Sequence, residues 1–111
     1  MTTLNILMAQ MNTLVGDFAG NTTRVIEIIN GAPDSGDPTI VVFPELTLSG
    51  YPPEDLLLRP SIERRVRQSL DRILAAIDGP NYAVIGYPRR QDGVLYNVAG
   101  VFHKGKIIAE Y

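Results

Sequence analysis

At 111 residues the chain can build one small domain, and its 45% hydrophobic and 20% charged content is ordinary for a globular protein. A formal charge of -2 gives no electrostatic footprint for nucleic acid, and the absence of cysteine excludes a disulfide framework, a thiolate metal site and a cysteine nucleophile within these residues. No basic region leads into a long apolar run at the amino terminus and no stretch is long enough to span a bilayer, so no signal peptide or membrane anchor is expected and the protein reads as cytoplasmic.

The first apolar run, Leu4 to Met11, is short and nearly unbroken, the pattern of a strand buried on both faces. Gly16-Asp17 breaks it, and Asp17 is placed to cap a helix by accepting a free backbone N–H of the first turn. Phe18, Thr22, Val25, Ile26 and Ile29 then form one apolar stripe at helical spacing, and Asn30-Gly31 supplies a stop. Ala32 to Pro38 reads as a polar turn segment.

Thr39 to Phe43 is a second buried strand of β-branched and aromatic residues, ended by Pro44, which has no N–H to give the ladder. Glu45 to Pro60 is irregular, punctuated by glycine and prolines. Ser61 is predicted to cap the next helix, whose buried face is Ile62, Val66, Leu70, Ile73, Leu74 and Ile77. Arg64, Arg65, Arg67, Asp71 and Arg72 lie mostly off that stripe; the cluster Arg64, Arg65 and Arg67 reads as a solvated face, with a subunit contact as the other reading, and Asp78-Gly79-Pro80 closes the helix.

Tyr82 to Tyr87 is a strand, Val94 to His103 another, and Lys106 to Tyr111 begins a third. Asp92-Gly93 and Lys104-Gly105 are hairpin-turn signals between them. The order predicts an α/β fold, a mixed sheet with helices packed on one face. The other face then needs a cover. Residues 1–111 are therefore expected to be part of a larger domain, or to bury that face against another chain.

One segment carries chemistry. Glu45 stands immediately beyond the end of a buried strand, where open α/β sheets bind ligands. Partial burial there would raise its carboxylate towards neutrality, which suits a general base. The competing reading is a solvated loop glutamate or a helix-capping partner.

Phe43-Pro44-Glu45-Leu46 followed by Ser49-Gly50-Tyr51 resembles the glutamate motif of the nitrilase superfamily. The extension Tyr51-Pro52-Pro53-Glu54-Asp55-Leu56-Leu57-Leu58-Arg59 resembles, more narrowly, the glutaminase domain of glutamine-dependent NAD synthetases. Ala9-Gln10, Gly16-Asp17 before Asn21, Ile85-Gly86, Tyr96-Asn97-Val98-Ala99 and Gly105-Lys106-Ile107 continue the pattern in order along the whole chain.

The resemblance implies an α-β-β-α sandwich of which residues 1–111 form the N-terminal portion. It implies a Glu–Lys–Cys triad in which Glu45 takes the thiol proton while cysteine attacks the side-chain amide of glutamine. Ammonia would then pass to a synthetase domain that uses ATP and magnesium to amidate nicotinate adenine dinucleotide. It also implies that the complete protein is a homo-oligomer. Tyr51 is implied as a wall of the substrate pocket, against the plain reading of a packed loop aromatic.

The departures are as plain. There is no cysteine, and Lys104 and Lys106 match a turn that precedes the family's lysine. Glu45 alone of the triad is present, so these residues by themselves are expected to be inactive. Glu54 and Asp55 read as the start of a short helical turn, and His103 as a solvated turn residue without ligand partners. No cofactor or metal is expected in this portion. Two other readings are a stand-alone nitrilase-type amidohydrolase and a non-catalytic interaction module.

Overall fold

The computed structural model describes residues 3–111. In chain order the elements are β1 (Asn5–Met8), α1 (Phe18–Gly31), β2 (Thr39–Val42), a short 3-10 turn (Glu54–Leu58), α2 (Ile62–Ala76), β3 (Tyr82–Gln91), β4 (Val94–His103) and β5 (Lys106–Glu110). The strands lie side by side as β1-β2-β3-β4-β5 in one sheet. β1, β2 and β3 are parallel, and β3, β4 and β5 form an antiparallel meander. The parallel pairs are joined by helical crossovers and the antiparallel pairs by two-residue turns.

Both turns have φ positive at their two central residues, Asp92 and Gly93 in one, Lys104 and Gly105 in the other. That geometry matches the twist of the flanking strands.

Alternation along the strands sorts the sheet into two faces. Val41, Ala83, Ile85, Tyr87 and Phe102 point to the helical side, where they meet Phe18, Val25 and Ile29 of α1 and Ile62, Val66 and Ile73 of α2 in one buried cluster. This is the expected mixed sheet with helices on one face. Asp17 caps α1 as anticipated, its Oδ1 accepting from the Gly20 amide at 2.9 Å.

The structure corrects several expectations. β1 is not buried on both faces: it is a sheet edge, with Ile6 63% and Met8 76% exposed, because no described residue packs on that side. Ser61 does not cap α2 through its side chain; its backbone is already helical, so its hydroxyl is not presented to the first-turn amides. β3 runs on through Pro88 to Gln91. The Val84 and Gly86 carbonyls accept from Phe43 and Leu48, on the β2 side. Pro88 shares that side, beyond the end of β2, where no ladder bond needs its missing N–H.

Two arginines off the apolar stripe, Arg65, expected on a solvated face, and Arg72, tie the helices together. Arg65 donates to the Gly16 carbonyl at 2.7 Å and lies over the Phe18 ring. Arg72 donates to the Ala19 carbonyl and to Thr23 Oγ1. Arg67 stays on the surface, 3.9 Å from Glu63, a separation that contributes little. His103 is half-buried and stacks on Tyr82 with ring centroids 3.8 Å apart.

Among the described residues no helix is long and apolar enough to cross a membrane.

Candidate active site

β2 ends at Val42, and the chain turns sharply through Pro44 to Ser49 at the carboxyl ends of the parallel strands. Thr47 Oγ1 donates to the Pro44 carbonyl and Ser49 Oγ to the Leu46 carbonyl, while the Gly50 amide returns to the Leu46 carbonyl at 2.9 Å. The turn forces a positive φ of 49° on Leu46, a conformation that a branched apolar side chain adopts only under constraint.

The constraint comes from neighbours on both sides. Leu48 N–H donates to the Gly86 carbonyl of β3. A Cβ on Gly86 would lie 2.6 Å from the Leu46 nitrogen and 3.0 Å from the Pro44 oxygen, so only glycine lets the turn sit this low on the strand. On the other side Asn21 is almost fully buried. Its Nδ2 donates to the carbonyls of Leu14 and Leu48 at 2.9 and 3.1 Å, and its Oδ1 accepts from the Leu14 amide at 3.0 Å. One side chain thus joins α1, the loop before it and the turn that carries Glu45.

Glu45 projects from this turn beside an open hollow of about 220 Å³, lined by Phe43, Pro44, Val84, Gly86, Asn97, Val98, Ala99 and Tyr111. The hollow opens on the sheet face that carries no helix: Val84 and Ala99 alternate with the core residues Ala83, Ile85, Gly100 and Phe102. Asn97 on β4 donates its side-chain amide to Glu45 Oε1 at 2.5 Å. The carboxylate is therefore held by a neutral donor. Its second oxygen has no hydrogen-bond partner among the described residues and is available to accept a proton.

The partial burial expected of Glu45 is not found; it is exposed, because the side of the sheet onto which it opens is bare. Tyr51 is 60% exposed and outside the lining of the hollow, so residues 3–111 do not bring it together with Glu45. Glu54 and Asp55 do start a short 3-10 turn. No group of three or more His, Cys, Asp and Glu side chains suited to a metal ion occurs among the described residues.

Asn97 was visible in the sequence only as part of the Tyr96-Asn97-Val98-Ala99 pattern. The signal that could have singled it out is an amide inside an otherwise apolar strand, opposite the strand that neighbours Glu45. Tyr111 joins the hollow because its backbone pairs with Ala99, extending the β5 ladder by one residue.

The chain is 50% identical over 109 residues to a glutamine-dependent NAD(+) synthetase of Xanthomonas campestris pv. campestris, covering 98% of this chain and 20% of the relative. Its structure is similar to that of the glutamine-dependent NAD+ synthetase from Acinetobacter baumannii, with a TM-score of 0.86 and 32% identity, over 96% of this chain and 20% of the other. The fold is shared with an amidase from Nesterenkonia sp., with a TM-score of 0.83 and 18% identity, over 99% of this chain and 42% of the amidase. The chain thus spans about a fifth of the length of the curated relative it matches. Residues 6–111 match the carbon-nitrogen hydrolase family, and the chain belongs to it.

Proposed function

We propose that residues 1–111 form the N-terminal portion of a glutamine amidohydrolase domain in a glutamine-dependent NAD synthetase, with Glu45 as general base. The observation that carries this reading is the placement of Glu45: at the carboxyl end of a parallel strand, beside a hollow, with one oxygen held by Asn97 and the other available. The relatives' names supply glutamine as the substrate.

The chain has no cysteine, so the thiol must come from sequence outside these residues. Glu45 would take the thiol proton as sulfur attacks the amide carbon of glutamine, and the proton would leave with the amine as ammonia. Water would then cleave the thioester to glutamate, with Glu45 again accepting a proton. A lysine outside these residues would hold the oxyanion of each tetrahedral intermediate.

ATP and magnesium belong, on this reading, to the synthetase domain of such an enzyme. Amidation of the dinucleotide, cytoplasmic residence and a homo-oligomeric assembly belong to the same proposal.

The test is a fusion in which residues 1–111 replace the corresponding stretch of the Xanthomonas relative. Glu45→Gln should lower glutamine-dependent NAD formation by about a hundredfold or more and leave the ammonia-dependent rate intact. Glutamine turnover surviving this change would remove Glu45 from the mechanism.

A further inference from the structure

Glu110, the last residue of β5, is held from two strands away. Tyr87 Oη donates to Glu110 Oε2 at 2.5 Å, and Arg89 Nη1 reaches Oε1 at 2.6 Å and Oε2 at 2.8 Å. The bridge crosses β4 at Gly100, the register partner of both Ile85 and Glu110. A Cβ on Gly100 would meet Tyr87 Oη at 2.4 Å, so the missing side chain makes room for the phenol.

Tyr87 is fully buried, whereas the side chains of Glu110 and Arg89 are 25% and 45% exposed. Burial, and then the hydrogen bond and charge of Glu110, push the Tyr87 phenol well above its ordinary value, so it remains a donor at any physiological pH. An exposed ion pair alone would hold β5 weakly. A buried hydroxyl donor to the same carboxylate changes that, because breaking the contact would strand a polar group in the core.

The next residue is Tyr111. Its N–H donates to the Ala99 carbonyl at 3.0 Å, and its carbonyl accepts from the Ala99 N–H at 2.8 Å. Tyr111 and Ala99 both line the Glu45 hollow. Among the described residues β5 pairs on one side only, and its register with β4 is broken between Val101 and Phe102. The ladder by itself is therefore a poor anchor for this end of the strand.

We propose that Tyr87, Arg89 and Glu110 form a positioning clamp that fixes the end of β5, and so Tyr111, as a wall of the Glu45 hollow. The catalytic consequence rests on the reading of Glu45 as the base; the mechanical part does not. None of the three residues lines the Glu45 hollow.

The test measures hydrogen exchange at the Ala99 and Tyr111 amides, together with steady-state kinetics, in the same fusion. Glu110→Gln should speed exchange at both amides by about tenfold or more, while the Phe43 amide, bonded to Val84, keeps its protection. The same variant should lower kcat with glutamine severalfold at unchanged KM, with the ammonia-dependent rate retained. Arg89→Lys, which keeps the positive charge beside Glu110, should retain much of both the amide protection and the glutamine kcat. Should Glu110→Gln also release the Phe43 amide, Tyr87→Phe, which deletes a single hydroxyl, is read in its place. Unaltered exchange at Ala99 and Tyr111 would overturn the clamp, and faster exchange with an unaltered glutamine kcat would overturn its positioning role. Loss of the Glu45 assignment is separately visible, because Glu45→Gln would then spare glutamine turnover.

Discussion

A Cβ added to Gly86 would stand 2.6 Å from the Leu46 amide nitrogen. Two elements far apart in sequence therefore fit only because one of them has no side chain. The contact is backbone against strand, so no rotamer change can relieve it. Gly86→Ala should cost about 1–3 kcal/mol of stability and shift Glu45 away from Asn97. A lowered melting temperature with loss of glutamine-dependent turnover in the fusion is the expected result. Wild-type turnover in Gly86→Ala would mean that the turn can ride higher without consequence.

Asn97 fixes one Glu45 oxygen without neutralising the carboxylate. On the proposed role of Glu45, removal of this amide should leave the carboxylate present but less well aimed. Asn97→Ala should lower kcat with glutamine by about tenfold, a fraction of what a whole base contributes, and barely move KM. Kinetics with glutamine against ammonia in the fusion check this. Equal losses with both nitrogen donors would point to general damage.

The Tyr87 phenol is pushed up, first by burial and then by its hydrogen bond to Glu110. The protonated form is thus favoured by folding. Its contribution to stability is fully present below the unfolded phenol value of about 10 and is lost as pH rises through the higher folded value. Of the chain's 5 tyrosines, Tyr87 should ionise last in an ultraviolet difference titration. Tyr87→Phe should delete that final phase and reduce the alkaline loss of stability. An early phase disappearing in this variant would contradict the burial argument.

Tyr51 lies on the same loop as Glu45 but outside the lining of the hollow. If it walls the substrate pocket when the uncovered face is occupied, Tyr51→Ala should raise the KM for glutamine severalfold and leave kcat near its original value. An unchanged KM would assign Tyr51 to loop packing alone.

Much of the architecture was legible in the residues. Asp17, the stripe from Phe18 to Ile29, and the pairs Asp92-Gly93 and Lys104-Gly105 act through local geometry, and the structure places each as expected. What stayed hidden depends on partners distant in sequence. An apolar run such as Leu4 to Met11 reads alike whether its second face is covered or bare, and here it is bare. Arg65 carries no sign that it will bridge to Gly16, 49 residues away. Glu45 was singled out by its place after a strand-terminating proline and by the resemblance carried by Phe43-Pro44-Glu45-Leu46, and the structure sets it beside the hollow. The contacts of Asn97, Gly86 and Asn21 were not legible, because an amide in a strand or a helix, or a glycine without a turn, is informative only once the facing element is known.

The turn around residue 45 is held by Thr47, Ser49, Gly86 and Asn21, none of which needs the glutamate side chain. Architecture and chemistry at this corner are therefore carried by different residues. A substitution at Glu45 therefore removes the carboxylate and leaves every contact that shapes the corner in place, so loss of the acid and loss of the fold can be told apart by experiment.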